Sequence, residues 1–396
     1  MDHFAIVLGL CRSALQTENP AISGHVERLL KALEKEGCSD QSAALRKVLK
    51  TGAAATEIAP SRVILSRASL VGETLTPSVP APVDKETGAP LASIFHPDHI
   101  KTPHPIFNNE LSAGVSALLE EWQHVDELRK AGVRPALTTM LFGAPGTGKT
   151  MLAHHIAAEL GLPLIVARLD GLISSFLGTT ARNISNLFSF ANRYKCVLLL
   201  DEFDAVAKLR DDPHELGEIK RVVNTLLQCI DGRSNIGFTI AITNHEFLLD
   251  PAVWRRFDIR IEVPKPDIHT RSKIIRRHLG EFVQEDANIN FLSWITDEGS
   301  GSDIEKLSDF IKRQKAIRKS DFDFLNTVKS HIQLSASEDE SKNRLLVTGD
   351  YERLALALAN DRDAPFNQEQ LATLFGCTQS TISRWLKKDK LIQGEK

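Results

Sequence analysis

The sequence predicts an α/β fold, a parallel sheet with helices on both faces, and three observations predict it. Strand-like and helix-like segments alternate from 136 to 263. A glycine-rich stretch at 141–150, LFGAPGTGKT, sits between the first strand of that run and its first helix. A later strand at 196–201, CVLLLD, is apolar up to a terminal carboxylate, as a strand covered on both faces requires.

Taken in order, residues 1–58 read as a helical bundle, with apolar positions at helical spacing in 25–33 and 43–49. Asn19-Pro20 and Gly37 punctuate it. It is read either as an adaptor- or substrate-docking unit or as a contact between copies. From 59 to 105 the composition shifts to Pro, Ser, Thr and Ala, which reads as a linker without a core of its own. His96, His99 and His104 lie close together there, but no cysteine or carboxylate cluster accompanies them to make a metal site.

The strands at 136–142, 163–169, 196–201, 238–242 and 259–263 belong to a domain spanning 106–264, which Pro264 and Pro266 close. Helical segments follow over 265–335, and a last helical unit covers 346–396. Overall, 25% of the 396 residues are charged, 42% are hydrophobic, and the net charge is -3, which carries no global nucleic-acid or membrane signature. Five cysteines without C-x-x-C pairing suit a reducing, cytoplasmic setting. No apolar run is long enough to span a membrane, and the N-terminus lacks the basic flank of a signal peptide.

In the glycine-rich stretch, Gly143, Gly148, Lys149 and Thr150 fit the pattern G-x-x-x-x-G-K-[ST]. Glycines let successive backbone N–H groups turn inward onto phosphate oxygens, and the helix that starts at Lys149 adds its N-terminal dipole. Ala144, Pro145, Gly146 and Thr147 complete the loop, and Met151 begins the apolar part of the helix. Lys149 is expected to reach the outer phosphates of ATP, and the Thr150 hydroxyl to hold Mg²⁺. Asp201, at the end of the apolar strand, is then expected on the same ion, and Glu202 beside it on the attacking water. Asn244, just after the next strand, can hold that water in line without competing for its proton. Arg255 and Arg256, at the end of a short helix, are candidates to stabilise charge on a transferring phosphoryl group in a neighbouring copy; pairing with Asp250 or Asp258 is the alternative for one of them.

This ordered set resembles the AAA+ ATPases, and within them the AAA clade of proteasomal ATPases, membrane AAA proteases, katanin and spastin. The resemblance covers about 107–315. It implies a P-loop NTPase with a five-stranded parallel sheet sandwiched by helices, a helical lid, a homo-hexameric ring, and ATP bound between subunits. It assigns Lys149 and Thr150, Asp201 and Glu202, and Asn244 to the Walker A, Walker B and sensor-1 positions, and Arg255 and Arg256 to the paired arginine fingers. Gly301 and Ser302, at the start of a lid helix, resemble the small-residue sensor-2 segment; a helix cap made by Ser302 or Asp303 is the other reading and is compatible with it. Phe176, Leu177 and Gly178 resemble the aromatic-aliphatic-glycine loop that lines the pore and grips an extended polypeptide, with a buried core Phe176 as the alternative. The segment 209–216 would form a second pore loop. Ala144 departs from the family's usual proline, the family's Asp-Ile-Gly adenine contact is not evident, and no protease motif follows the lid, so a peptidase would be a separate partner chain. Chains of this layout can be paired with separate proteases, including subtilisin-like ones in bacterial phage defence.

Finally, 366–388 reads as a helix-turn-helix. Ala372 falls at the crossing, Gly376 in the turn, and Ile382, Trp385 and Leu386 point inward. Gln379, Ser380, Ser383 and Arg384 face outward, with Lys387 and Lys388 placed for phosphates; a packing motif that caps the ring or docks a partner is the alternative to DNA binding. The leading expectation is thus an ATP-driven protein unfoldase, and the alternative is a DNA-associated regulator acting through this unit.

Overall fold

A computed structural model describes residues 72–100, 103–168, 172, 177–208, 216–233, 237–249, 251–334, 342–361 and 365–393, with isolated positions before residue 46. Residues Met1–Leu70 form one compact unit and Val71–Lys396 another. In the first, the expected helical bundle falls mostly outside the described residues, although Val26, Leu33 and Leu45 are helical and buried.

The second unit is built on one sheet of six strands: β1 (Ala92–Phe95), β2 (Thr138–Phe142), β3 (Leu164–Ala167), β4 (Val197–Leu200), β5 (Phe238–Thr243) and β6 (Ile259–Glu262). Their order is β1-β3-β4-β5-β2-β6. The last five are mutually parallel, and β1 runs antiparallel to β3, with Ala92 opposite Ala167. Successive side chains on a strand leave opposite faces, so one apolar strand feeds two cores. Leu198 and Leu200 join the first core with α4 (Leu177–Ala191) and α6 (Leu216–Gly232). Val197 and Leu199 join the second core with α1 (Asn109–Gln123) and α3 (Lys149–Glu159). Of the shorter helices, α2 (Val125–Lys130) adds Val125 to the second core, while α5 (Phe203–Lys208) and α7 (Pro251–Trp254) add Phe203 and Val253 to the first. Asn108 caps α1 by accepting from the Leu111 N–H at 2.9 Å, and Trp122 in its last turn stacks on Phe238 while donating to the Ala136 carbonyl at 2.7 Å.

The stretch read as a coreless linker contributes the sixth strand. Leu75, Leu91 and Ala92 are buried in the first core. Val83 bridges Pro90 to close a tight turn, within which Asp84 accepts from the Glu86 N–H at 2.9 Å and from the Asn183 amide of α4 at 3.2 Å. These donors hold the Asp84 carboxyl below the usual carboxylate range, the Glu86 N–H foremost. A four-residue edge strand in a Pro- and Thr-rich background carries too short a period to be legible, and an edge tolerates the prolines beside it.

Beyond β6 the chain is helical: α8 (Ile268–Leu279), α9 (Asp286–Ile295), α10 (Gly301–Arg318), α11 (Phe324–Leu334), α12 (Lys342–Thr348), α13 (Tyr351–Ala359), α14 (Gln368–Phe375) and α15 (Gln379–Gln393). The sequence suggested a lid and a separate terminal unit. Instead, Ile275, Phe291 and Ile304 of the lid share a single core with Leu358, Leu371 and Ile382. Trp294 ties the two halves, donating from Nε1 to Asp361 at 2.8 Å while its carbonyl accepts from Asn343 at 3.1 Å. Among the described residues no helix is long and apolar enough to cross a membrane, and no metal-ligating cluster forms around the histidines of 96–104.

Replacing Leu91, fully buried, with Ala should cost about 2–4 kcal/mol. Thermal or denaturant unfolding checks this; a loss under about 0.5 kcal/mol, as at surface positions, would return the segment to a linker.

Candidate functional site

The glycine-rich loop leaves β2 and enters α3, and its conformation explains its spelling. Gly143, Gly146 and Gly148 all have positive φ, at 131°, 75° and 98°. A Cβ on Gly143 would lie 2.6 Å from the Val263 carbonyl oxygen, and one on Gly146 would lie 2.6 Å from the Ser300 hydroxyl. Both positions therefore exclude a side chain by torsion and by contact. Gly148 is the N-cap of α3, so the free amides of the first turn face the loop.

Lys149 is buried, and its ammonium donates to the carbonyls of Gly143 at 2.8 Å and Ala144 at 2.7 Å. Two of its three N–H groups are thereby used, which leaves one for a phosphate oxygen. Burial lowers its pKa, and the nearby Asp201, Asp204 and Glu246 counter that shift. The Thr150 hydroxyl donates to Asp201 Oδ2 at 2.9 Å, and the other carboxylate oxygen of Asp201 accepts the Glu202 N–H, also at 2.9 Å. A hydroxyl and a carboxylate in contact at the mouth of a phosphate loop are the hard oxygen donors that suit Mg²⁺. Glu202 itself is exposed and sits at φ 51°, a left-handed conformation for a non-glycine residue at a strand end. Asn244 follows β5 on a turn fixed by Thr243, whose hydroxyl donates to buried Asp204 at 3.3 Å and accepts the His245 N–H at 3.1 Å.

These groups open into one cavity of about 470 Å³. Pro145 through Met151, Asp201, Glu202, Asn244, Gly301 and Ser302 line it. Gly143 and Ala144 lie behind the wall and serve through the carbonyls that hold Lys149. At the lid, the Ser302 N–H donates to the Gly146 carbonyl at 3.1 Å. The helix cap is made by Ser300, not by Ser302. Its hydroxyl accepts the Asp303 N–H at 3.3 Å and the Asp303 carboxylate accepts back from the Ser300 N–H at 2.9 Å.

The opposite wall escaped the sequence reading. Pro103, Ile106 and Phe107 supply an apolar side, and Ile242 of β5, Ile274, Arg277 and His278 on α8 and Glu305 on α10 supply the rest. The spacing of Ile274, Arg277 and His278, at i, i+3 and i+4, was the available signal that they share one helix face. Arg277 also bonds the His104 carbonyl.

Arg255 and Arg256 do not line the cavity. Arg256 pairs with Asp231 at 3.4 Å and donates to the Ala252 carbonyl at 3.2 Å, whereas Arg255 is exposed and makes no ion pair among the described residues. Asp258 instead accepts from the Leu137 and Thr138 N–H groups at 3.1 and 3.3 Å. Phe176, the side chain of Leu177, Asp250 and most of 209–216 lie outside the described residues; α4 begins at Leu177 and Gly178.

A family model described as "ATPase family associated with various cellular activities (AAA)" matches residues 139–265. The uncharacterized AAA family ATPase y4kL of Sinorhizobium fredii is 38% identical over 241 residues, 61% of this chain and 68% of that protein. The chain belongs to the AAA ATPase family. It carries an ATP-binding and hydrolysing AAA+ domain. It is also related to the ATP-dependent zinc metalloprotease FtsH of Aquifex aeolicus, 33% identical over 207 residues, and to proteasome-activating nucleotidase 2 of Haloferax volcanii, 36% identical over 200. These matches take in 50% and 48% of this chain, and the chain spans 33% and 48% of those two proteins.

Gly146→Ala should weaken ATP binding at least about ten-fold, read by titration with a fluorescent ATP analogue. Affinity within about two-fold of the parent would mean that the lid does not press on the loop as described.

Proposed function

We propose that this AAA ATPase is a protein-remodelling motor of the unfoldase type, working as a ring of identical subunits that passes polypeptide through its centre. The observation that carries the hydrolytic part is the convergence of Lys149, Thr150, Asp201, Glu202 and Asn244 on one cavity while Arg255, exposed, lies off it. Lys149 and the loop amides bind the triphosphate, and Thr150 with Asp201 would hold the Mg²⁺ that neutralises its charge. Glu202 takes a proton from the attacking water, and Asn244 keeps that water in line. Arg255 completes a neighbouring subunit's site, an effect worth about three to five decades in rate for an arginine supplied in trans. Arg256, tied to Asp231, serves to position it.

The threading part rests on the place of Phe176, Leu177 and Gly178 directly before and at the start of α4, and on kinship with the proteasome-activating nucleotidases. A rigid aromatic can wedge between peptide side chains of any sequence, and Gly178, a poor helix former in the first turn of α4, lets that turn loosen. Those nucleotidases are named for activating a proteasome, and that kinship favours a proteolytic partner carried on another chain.

Glu202→Gln should retain ATP binding and slow turnover by about two to four decades. A variant that hydrolyses at the parental rate would show that another group is the base. Phe176→Ala should keep basal ATP turnover yet lose unfolding of a tagged fluorescent protein, and continued unfolding by it would remove the threading reading.

A further inference from the structure

The sharpest feature that ATP hydrolysis leaves unused is the pair α14 and α15. Gly376 ends α14 in the left-handed conformation, at φ 61° and ψ 33°, and residues 376–378 turn the chain into α15. Asn367 and Gln370 form a reciprocal cap at the start of α14, so the first helix is fixed at both ends. Ile382 is fully buried, Trp385 and Leu386 pack against the same core, and Trp385 meets Phe375 edge-on at 5.7 Å. Those three positions fix how α15 is rotated about its own axis. Gln379, Ser380, Arg384 and Lys387 are consequently left in solvent, and 380, 384 and 387 share one stripe of the helix.

We propose that this stripe of α15 is a docking surface for duplex DNA, with α15 lying in the major groove. Two observations carry the choice of partner. The helix Gln379–Gln393 holds four basic residues, Arg384, Lys387, Lys388 and Lys390, against one acidic residue, Asp389, although the whole chain is net negative. Its outward side chains are an amide, a hydroxyl, a guanidinium and an ammonium, groups that meet base edges and phosphates. A protein-docking face needs an aromatic or aliphatic anchor at its centre, and no large hydrophobic side chain is exposed among the described residues of 365–387. At 15 residues α15 is roughly 22 Å long, enough to lie in the wide major groove of B-form DNA but not in the narrow one of an RNA duplex.

The test uses the full-length protein and fluorescence anisotropy with a labelled mixed-sequence duplex of about 30 base pairs. Binding is expected at about 50 mM salt. With Arg384 and Lys387 each neutralising a phosphate, their share of the affinity falls roughly ten-fold on going to about 200 mM. R384A combined with K387A should cut affinity at least about ten-fold and flatten the salt dependence, with ATP turnover unchanged as proof of an intact fold. R384K should retain the salt-dependent binding, which separates lost charge from lost packing. Absence of binding at the lower salt overturns the proposal, as does a double variant that binds DNA like the parent. Equal or tighter binding to duplex RNA overturns it too. A double variant that keeps DNA binding but loses capture of a protein substrate would give the face to a protein instead.

Discussion

The arrangement depends on a single crowded point, the carbonyl of Gly146. It accepts the Ser302 N–H from the start of α10, and the Cβ that Gly146 lacks would collide with the Ser300 hydroxyl on the same segment. On the other side of the loop Gly143 presses against the Val263 carbonyl at the end of β6. The phosphate loop is thus pinched between the edge of the sheet and the first turn of the lid. No side chain can enter, so only glycine satisfies both neighbours. The consequence for function is geometric: the backbone that would cradle phosphates is the backbone the lid touches. A change in loop conformation must therefore be felt at α10. Since α10 shares its core with α13, α14 and α15, the terminal helices are tied to the nucleotide site through close-packed side chains rather than through a tether.

Legibility in the sequence followed the same physics. Positions where the backbone itself dictates the residue, Gly143, Gly146 and Gly148, were readable, as were strands whose burial on both faces demands an unbroken apolar run. Phosphate-side groups could be found because one loop and one strand end supply most of them. The wall opposite the phosphate loop could not, since Pro103, Phe107, Ile274 and His278 meet only through tertiary packing and no local pattern announces that meeting. Strand β1 was missed for want of length. The fusion of lid and terminal helices was missed because two amphipathic bundles look alike whether they pack on themselves or on each other. Ser300 shows a finer limit: Ser302 and Asp303 were the expected caps, and only the turn into α10 reveals that Ser300 meets the N3 amide.

Two neighbouring arginines illustrate how structure separates residues that the sequence presents as equals. Arg256 is anchored within its own chain by Asp231 and by the Ala252 carbonyl. Arg255 has no such anchor among the described residues and lies just after α7, in a stretch packed down by Val253 and Phe257. A buried foundation under an exposed guanidinium keeps the arginine's position defined while leaving its charge available, and that is the arrangement a site completed by a second copy requires.

The most direct measurement of that claim is ATP turnover in mixtures of two inactive variants. Lys149→Ala cannot hold nucleotide but retains Arg255, and Arg255→Ala holds nucleotide but lacks the donated charge. Each alone should be nearly inert. If subunits complete one another's sites, mixing them restores turnover at interfaces where an intact loop meets an intact arginine. Mixtures as inactive as their components, or an Arg255→Ala protein that turns over ATP at the parental rate by itself, would contradict the account.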